Sequence, residues 1–311
     1  MGVVYGILGG MFGLLLLFAV GCGFGFYAMI VNPKSSSAGK SDDELTDYER
    51  TVRREEKVLR AMPNQEVSIV TFDNLTLRGN FIRAEGESKI TMLCLHGYTS
   101  NGYAEFSMRA QAYLKSGYNV LLVNHRNHGP SDGKYVGFAT LDRLDALKWL
   151  ALIDELVPGG EIFITGVSMG GATSMQCADL DLPKSVKGII EDCGFTNCEE
   201  EFAWRAKKVA GFAPKLTLKG IGLYMKIFAG YGLKDSCSLK SCQNAKVPMM
   251  FIHGNVDKVV PYEMGVACYE ACVTEKEFVE FDNCEHAQAF YHDSELYINA
   301  VNRFIDKHKN H

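Results

Sequence analysis

Residues 161–171 read Glu161-Ile162-Phe163-Ile164-Thr165-Gly166-Val167-Ser168-Met169-Gly170-Gly171. A short β-branched and aromatic run breaks into Gly-x-Ser-x-Gly and then into small residues that suit a helix. The pattern predicts a strand, a tight turn carrying Ser168, and a helix beginning at Met169. Glycines flank the serine because a sharp turn with strained dihedrals leaves no room for neighbouring β-carbons. The start of the helix also aims free backbone N–H groups at the turn, where they can stabilise an anion.

Working outward, the same strand–helix rhythm recurs. Upstream, the pattern predicts strands over residues 90–95 and 118–123, with helices over 103–116 and 141–156. Downstream come strands over 186–191, 248–252 and 276–281 and a last helix over 294–309. Residues 67–72 and 75–84 alternate like an antiparallel pair joined at Asp73-Asn74. Strands apolar throughout, alternating with amphipathic helices, indicate an α/β fold whose mostly parallel sheet is covered on both faces. Between Asp192 and Met249 some fifty residues lack a strand pattern. They carry Phe202, Trp204, Phe212, Leu216, Ile221, Leu223 and Phe228 among several lysines. This stretch, about 195–245, reads as a helical cap over the sheet edge.

A serine hydroxyl is a weak nucleophile and needs a base, itself oriented by a third group. Two later stretches of the chain offer these partners at strand ends. Asp257 lies just beyond the strand in Pro248-Met249-Met250-Phe251-Ile252-His253-Gly254-Asn255-Val256-Asp257. His286 lies in the loop after Phe278-Val279-Glu280-Phe281. Catalytic groups of open α/β sheets gather at these strand ends. Plainer readings stay open: Asp257 as the cap of a helix starting near Pro261, and His286 as an exposed loop residue. Asp192, after an earlier strand, is the reserve acid. The expected oxyanion donors are the backbone N–H of Met169 and that of Tyr98, in the loop His96-Gly97-Tyr98-Thr99-Ser100-Asn101.

With these motifs in view, the chain resembles the α/β-hydrolase superfamily from about Val67 to Lys309, most of all bacterial membrane-anchored serine hydrolases similar to the serine aminopeptidase-like and carboxylesterase-like groups. The likeness rests on His96-Gly97-Tyr98, Gly166-Val167-Ser168-Met169-Gly170, His253-Gly254-Asn255-Val256-Asp257 and Glu285-His286. It includes Asn124-His125-Arg126-Asn127-His128-Gly129-Pro130-Ser131, where asparagine at 124 replaces the family's usual aspartate. The resemblance implies an eight-stranded, mainly parallel sheet with helices on both faces and a cap inserted after the sixth strand.

The N-terminus is of another kind. No charged residue occurs from Val3 to Val31, enough for an apolar helix to cross a bilayer with margin for tilt. No Lys or Arg precedes it, and the small-residue run Ser36-Ser37-Ala38 lies late for a cleavage site, so an uncleaved single-pass anchor is expected. Several Gly-x-x-x-Gly spacings among Gly6, Gly9, Gly10, Gly13, Gly21 and Gly25 suit helix-mediated self-association. They equally suit mere tolerance of glycine in a membrane helix. Lys34 and Lys40 lean towards a cytoplasmic catalytic domain; against them stands only the α-amino group, and the side of the membrane stays open. The expected organisation is an anchor over 1–33, a polar linker and charged helix over 34–60, and the hydrolase domain over 61–311.

In the 311 residues the net charge of -5 offers nothing to nucleic acid. Ten cysteines, one of them Cys22 in the apolar segment, show no zinc-site spacing and read as buried free thiols. Neither metal nor organic cofactor is expected. The chemistry expected is cleavage of an ester, thioester or amide in a small-molecule or peptide substrate by Ser168, His286 and Asp257. The alternatives are an acyltransferase or serine peptidase with the same triad, and a non-catalytic membrane-tethered binding protein.

Overall fold

A computed structural model describes residues 1–32, 41–210 and 215–310 of the chain. The expected linker from residue 34 to Lys40, with Ser36-Ser37-Ala38, and cap residue Phe212 lie outside the described residues. Eight strands form one sheet: β1 (Gln65–Val70), β2 (Thr76–Ile82), β3 (Ile90–Leu95), β4 (Asn119–Val123), β5 (Glu161–Val167), β6 (Val186–Asp192), β7 (Met249–Gly254) and β8 (Lys276–Phe281). Their order is β1-β2-β4-β3-β5-β6-β7-β8. The pairs β1–β2 and β2–β4 are antiparallel, and the rest of the ladder is parallel.

Twelve α-helices are described: α1 (Gly2–Phe26), α2 (Asp47–Arg60), α3 (Gly102–Glu105), α4 (Arg109–Lys115), α5 (Asp142–Leu156), α6 (Met169–Cys177), α7 (Cys198–Ala210), α8 (Lys215–Tyr224), α9 (Ser238–Cys242), α10 (Tyr262–Ala271), α11 (Ala289–His292) and α12 (Ser294–His308). The expected helix over 103–116 is two helices instead. The chain steps at Phe106–Met108, and both Phe106 and Arg109 turn into the interior. Cys237 is the N-cap of the short helix α9 and Cys242 its last residue. Elsewhere the strand and helix boundaries fall within a few residues of expectation.

The period-2 geometry of the strands sorts their side chains into two cores. Met92 and Cys94 of β3, Val120 and Leu122 of β4, and Met250 and Ile252 of β7 join α4 and α12 on one face. Leu93, Leu95, Leu121, Val123, Met249 and Phe251 join α5, α6 and α10 on the other. A third cluster lies under α7 and α8, which follow β6 as a cap; the isolated bridge Asn197–Cys237 ties its two ends together.

The strand order reverses between β4-β3 and β3-β5, so the loops after β3 and β5 diverge and leave a crevice at their C-terminal ends. Both the Ser168 turn and the His96–Asn101 loop start there. α1 and a π-helical turn, Tyr27–Val31, form a continuous apolar rod. It is the one helix among the described residues long and apolar enough to cross a membrane. Its distal part is exposed, while Cys22, Phe26 and Ile30 are buried against the cap and the residues around Val136.

Candidate active site

Ser168 ends β5 with φ 56° and ψ −114°, in the region that L-residues rarely adopt. Packing enforces this turn. A β-carbon at Gly166 would lie 2.0 Å from the Gly170 carbonyl oxygen, and one at Gly170 would lie 1.8 Å from that of Leu95. The Ser168 N–H donates to the Asp192 carbonyl at 2.8 Å, pinning the turn to β6. Ser168 is thereby the residue before α6, and Met169 N–H is the first free amide of that helix.

His286 Nε2 lies 2.9 Å from Ser168 Oγ, and its Nδ1 lies 2.6 Å from Asp257 Oδ2. The three side chains come from loops after β5, β7 and β8, joined only by the sheet. Asp257 Oδ1 accepts the N–H groups of Val259 and Val260 at 2.7 and 2.9 Å, which orients the carboxylate. Asp257 does not cap α10, whose N-cap is Pro261 with no side-chain cap bond; its Oδ1 orders the turn before that helix, and its Oδ2 faces His286. Burial alone would raise its pKa; hydrogen bonds with His253 and His286 outweigh burial and hold the carboxyl well below the usual range. His253, four residues before Asp257 at the end of β7, is fully buried, with Nε2 3.4 Å from the same Oδ2.

Asp192, the reserve acid, is turned elsewhere. Its carboxylate pairs with Arg109 at 2.8 Å, and both side chains are 1% exposed. The same guanidinium nitrogen donates to the Ala287 carbonyl at 3.0 Å, so the ion pair braces the loop that carries His286. Sequence reading missed Arg109; a lone arginine in an amphipathic helix carries no local sign of burial.

The loop after β3 runs close to the serine, since a β-carbon at Gly97 would lie 3.4 Å from Ser168 Cβ. Three buried histidines shape this loop. His96 Nε2 accepts the His125 N–H at 3.0 Å, which leaves the proton on Nδ1 to donate to the Gly97 carbonyl at 2.7 Å. His128 Nε2 accepts the Thr99 N–H at 3.3 Å, and its Nδ1–H donates to the Arg126 carbonyl. Burial and neighbouring histidines push His128 down to about 4 and His96 well below its ordinary value, so both stay neutral. Gly97 N–H donates to Glu105, and the Tyr98 hydroxyl donates to the Met29 carbonyl at 2.8 Å. Asn124 serves in the place of the expected aspartate: its Oδ1 accepts Gly102 N–H and its Nδ2 donates to Arg78.

Among the described residues, the one grouping of possible metal donors is Cys193, Asp257 and His286, with donor atoms within 4.8 Å. Burial, then the charges of Asp192 and Asp257, raise the Cys193 thiol well above its ordinary pKa. A protonated thiol is a poor ligand, so this set suits a hydrogen-bonded dyad better than an ion. All ten cysteines are free. On the cap, Glu201 is 3% exposed, its Oε2 unpartnered, and burial pushes it up to about 7 against the pull of Arg205 and His286. A cavity of about 580 Å³ opens beside His286, between α2 and the Thr99–Asn101 loop. Met169 joins Phe138, Phe195, Phe202 and Val260 in the apolar cluster under the cap. The site therefore has one polar approach and one apolar wall.

A family model described as alpha/beta hydrolase fold matches residues 90–218. The chain is 27% identical over 217 residues to the uncharacterized protein YqkD of Bacillus subtilis, spanning 70% of this chain and 71% of that one. It is 23% identical over 240 residues to the mitochondrial palmitoyl-protein thioesterase ABHD10 of Bos taurus, spanning 72% and 76%. The solved structure of the Pyrococcus furiosus esterase Pf2001 matches with a TM-score of 0.65 and 26% identity, over 82% of this chain and 96% of that one.

Proposed function

The chain belongs to the α/β-hydrolase superfamily, and on that premise we propose that it is a membrane-anchored serine hydrolase cleaving a carboxylic ester or thioester through an acyl-enzyme. The observation that carries this reading is the relay from Ser168 Oγ to His286 Nε2 at 2.9 Å and from His286 Nδ1 to Asp257 Oδ2 at 2.6 Å. His286 takes the Ser168 proton as Oγ attacks the acyl carbon. Asp257, held ionised, accepts the Nδ1–H, keeps the imidazole in the useful tautomer and stabilises its cation. The oxyanion accepts from the N–H groups of Tyr98 and Met169. His286 then protonates the leaving group, and a water activated by the same nitrogen releases the acid and regenerates Ser168.

Ester and thioester come ahead of amide because an esterase and a thioesterase are among the relatives, and because the cap lays an apolar cluster beside Met169. The 580 Å³ cavity falls within the range of about 300–1,000 Å³ usual for small-molecule sites. An anchor reading of α1 is supported by its length and composition. The test is labelling of the full chain with a fluorophosphonate probe. Ser168 is expected to carry the adduct and Ser168→Ala to lose it; equal labelling of both overturns the proposal.

A further inference from the structure

The cap helix α8 and the π-helical turn Met225–Ala229 that continues it have four distinct faces. Leu218, Ile221 and Met225 point into the cluster under the cap. A second face packs on α1. A β-carbon at Gly25 would lie 2.9 Å from Ile221 Cδ1, one at Gly220 would lie 2.4 Å from Cys22 Sγ, and the Tyr224 hydroxyl donates to the Ala19 carbonyl at 3.1 Å. A third face is Leu216, Leu223 and Ile227, spaced by seven and four residues as one side of a helix requires. They are 67%, 59% and 64% exposed, and Phe228 beside them is 53% exposed. The fourth is an edge of exposed lysines along the stripe: Lys215 and Lys226 each precede a stripe residue by one, Lys219 lies three after Leu216 and four before Leu223, and Lys226 is paired to Asp235.

The length of α1 decides what covers the apolar stripe. Protein buries Cys22, Phe26 and Ile30, so the length from Val4 to Gly21 is left to cross a bilayer. Eighteen residues at 1.5 Å each span about 27 Å, close to the hydrocarbon thickness of about 30 Å. A helix that grips α1 from Ala19 to Gly25 must then lie at the level where hydrocarbon gives way to headgroups. There an apolar stripe beside a lysine edge matches the chemistry of an interfacial helix.

We infer that α8 and its continuation form a second membrane-contact surface, with Leu216, Leu223, Ile227 and Phe228 sunk into the acyl region of one leaflet and the lysines among anionic headgroups. The inference rests on the anchor reading above and extends it: the cap, and not α1 alone, touches lipid. A crevice of about 500 Å³, walled by Phe26, Tyr135, Tyr224 and Phe228, lies where α1 meets the cap and faces the same leaflet.

The test places nitroxide labels, one at a time, in the full chain reconstituted into phosphatidylcholine–phosphatidylglycerol vesicles. The positions are Leu223→Cys and Ile227→Cys on the stripe, Leu15→Cys on the exposed part of α1 and Val273→Cys at the far end of the sheet, with Cys237→Ser removing the one native thiol that is not buried. Relaxation by oxygen is compared with relaxation by an aqueous nickel chelate. Labels at 223 and 227 should give an oxygen-to-nickel ratio several-fold above that at 273 and below that at 15. Ratios at 223 and 227 equal to that at 273, with 15 in lipid, overturn the cap surface alone. An aqueous ratio at 15 overturns the anchor and this surface with it. Spin–spin broadening at 223 and 227 with water-like ratios would instead show a second copy covering the stripe and overturn the proposal.

Discussion

Ser168 is one of several non-glycine residues with positive φ around the site; Thr99 (62°), Cys193 (49°) and Ala287 (60°) lie in the loops that meet it. Rare conformations of this kind persist where surrounding packing over-determines them. Here the serine turn is set by Gly166 and Gly170, and the His286 loop by Arg109. Replacing Asp257 by asparagine would leave the volume unchanged while favouring the wrong His286 tautomer. The expected result is a fall in kcat of roughly 10⁴-fold with KM little altered, read by steady-state hydrolysis of a p-nitrophenyl ester. Equal losses in kcat and folding would count against the assignment. His128 supplies a pH signature. Its folded pKa of about 4 lies below an unfolded value of about 6.5. Between these values the unfolded chain binds more protons, so this group's contribution to stability is full above pH 6.5 and shrinks as pH falls towards 4. Glu191, pushed up to about 8 by burial, acts with the opposite sign. Comparison with His128→Gln isolates the histidine. Its advantage over the variant should narrow by up to roughly 3 kcal/mol between pH 7 and 4.5 in urea unfolding; an unchanged gap would refute it.

At the level of elements, the glycines of α1 divide by neighbourhood. A β-carbon added at Gly6, Gly9, Gly10, Gly13 or Gly21 would have nothing within 4 Å, whereas one at Gly23 would meet the Tyr224 ring at 3.2 Å and one at Gly25 would meet Ile221 at 2.9 Å. The Gly-x-x-x-Gly pattern suits pairing between copies or mere tolerance of glycine; at its C-terminal end the close approach serves the chain's own α8. Gly25→Leu should therefore separate the two helices and lower the melting temperature of the detergent-solubilised protein by several degrees. Gly9→Leu should leave it within a degree or so of the parent, since a surface change away from packing shifts stability by under about 0.5 kcal/mol. Equal shifts in the two melts would mean that the α1–α8 contact contributes nothing.

For the molecule as a whole, α1 is part of the folded domain as well as an apolar rod. Besides burying Phe26 and Ile30, worth about 2 kcal/mol each, its end accepts the Tyr98 hydroxyl at Met29, the Val136 N–H at Ile30 and the Asn127 side-chain amide at Ile30 and Val31. Three loops around the serine are tied to it. A chain of residues 33–311 should melt lower than one of residues 17–311 and acylate more slowly with a fluorophosphonate, because Tyr98, whose N–H is the proposed oxyanion donor, loses its tether to Met29. Identical melts and rates would show that the docked segment is dispensable.

Much of this architecture was legible in sequence because its causes are local. The strand-and-helix periods follow from side-chain geometry, and the elbow at Ser168 is marked by its own Gly166-x-Ser168-x-Gly170 spacing, although the need for Gly170 comes from the distant Leu95 carbonyl. The break at Phe106–Met108 was not legible, since it answers to Asp192, eighty-three residues from Arg109. The amino-acid sequence alone determined the sheet, the serine turn, the loop bearing His286 and an apolar helix long enough for a bilayer. Only the tertiary structure decided between the expected Asp257 and the reserve Asp192: Asp192 ends β6, Asp257 follows the adjacent β7 by three residues, and a buried arginine from α4 takes the first and leaves the second. It alone also decided that the apolar helix ends against the cap and the loop after β3. Both outcomes depend on contacts between segments far apart in the chain, which no local pattern encodes.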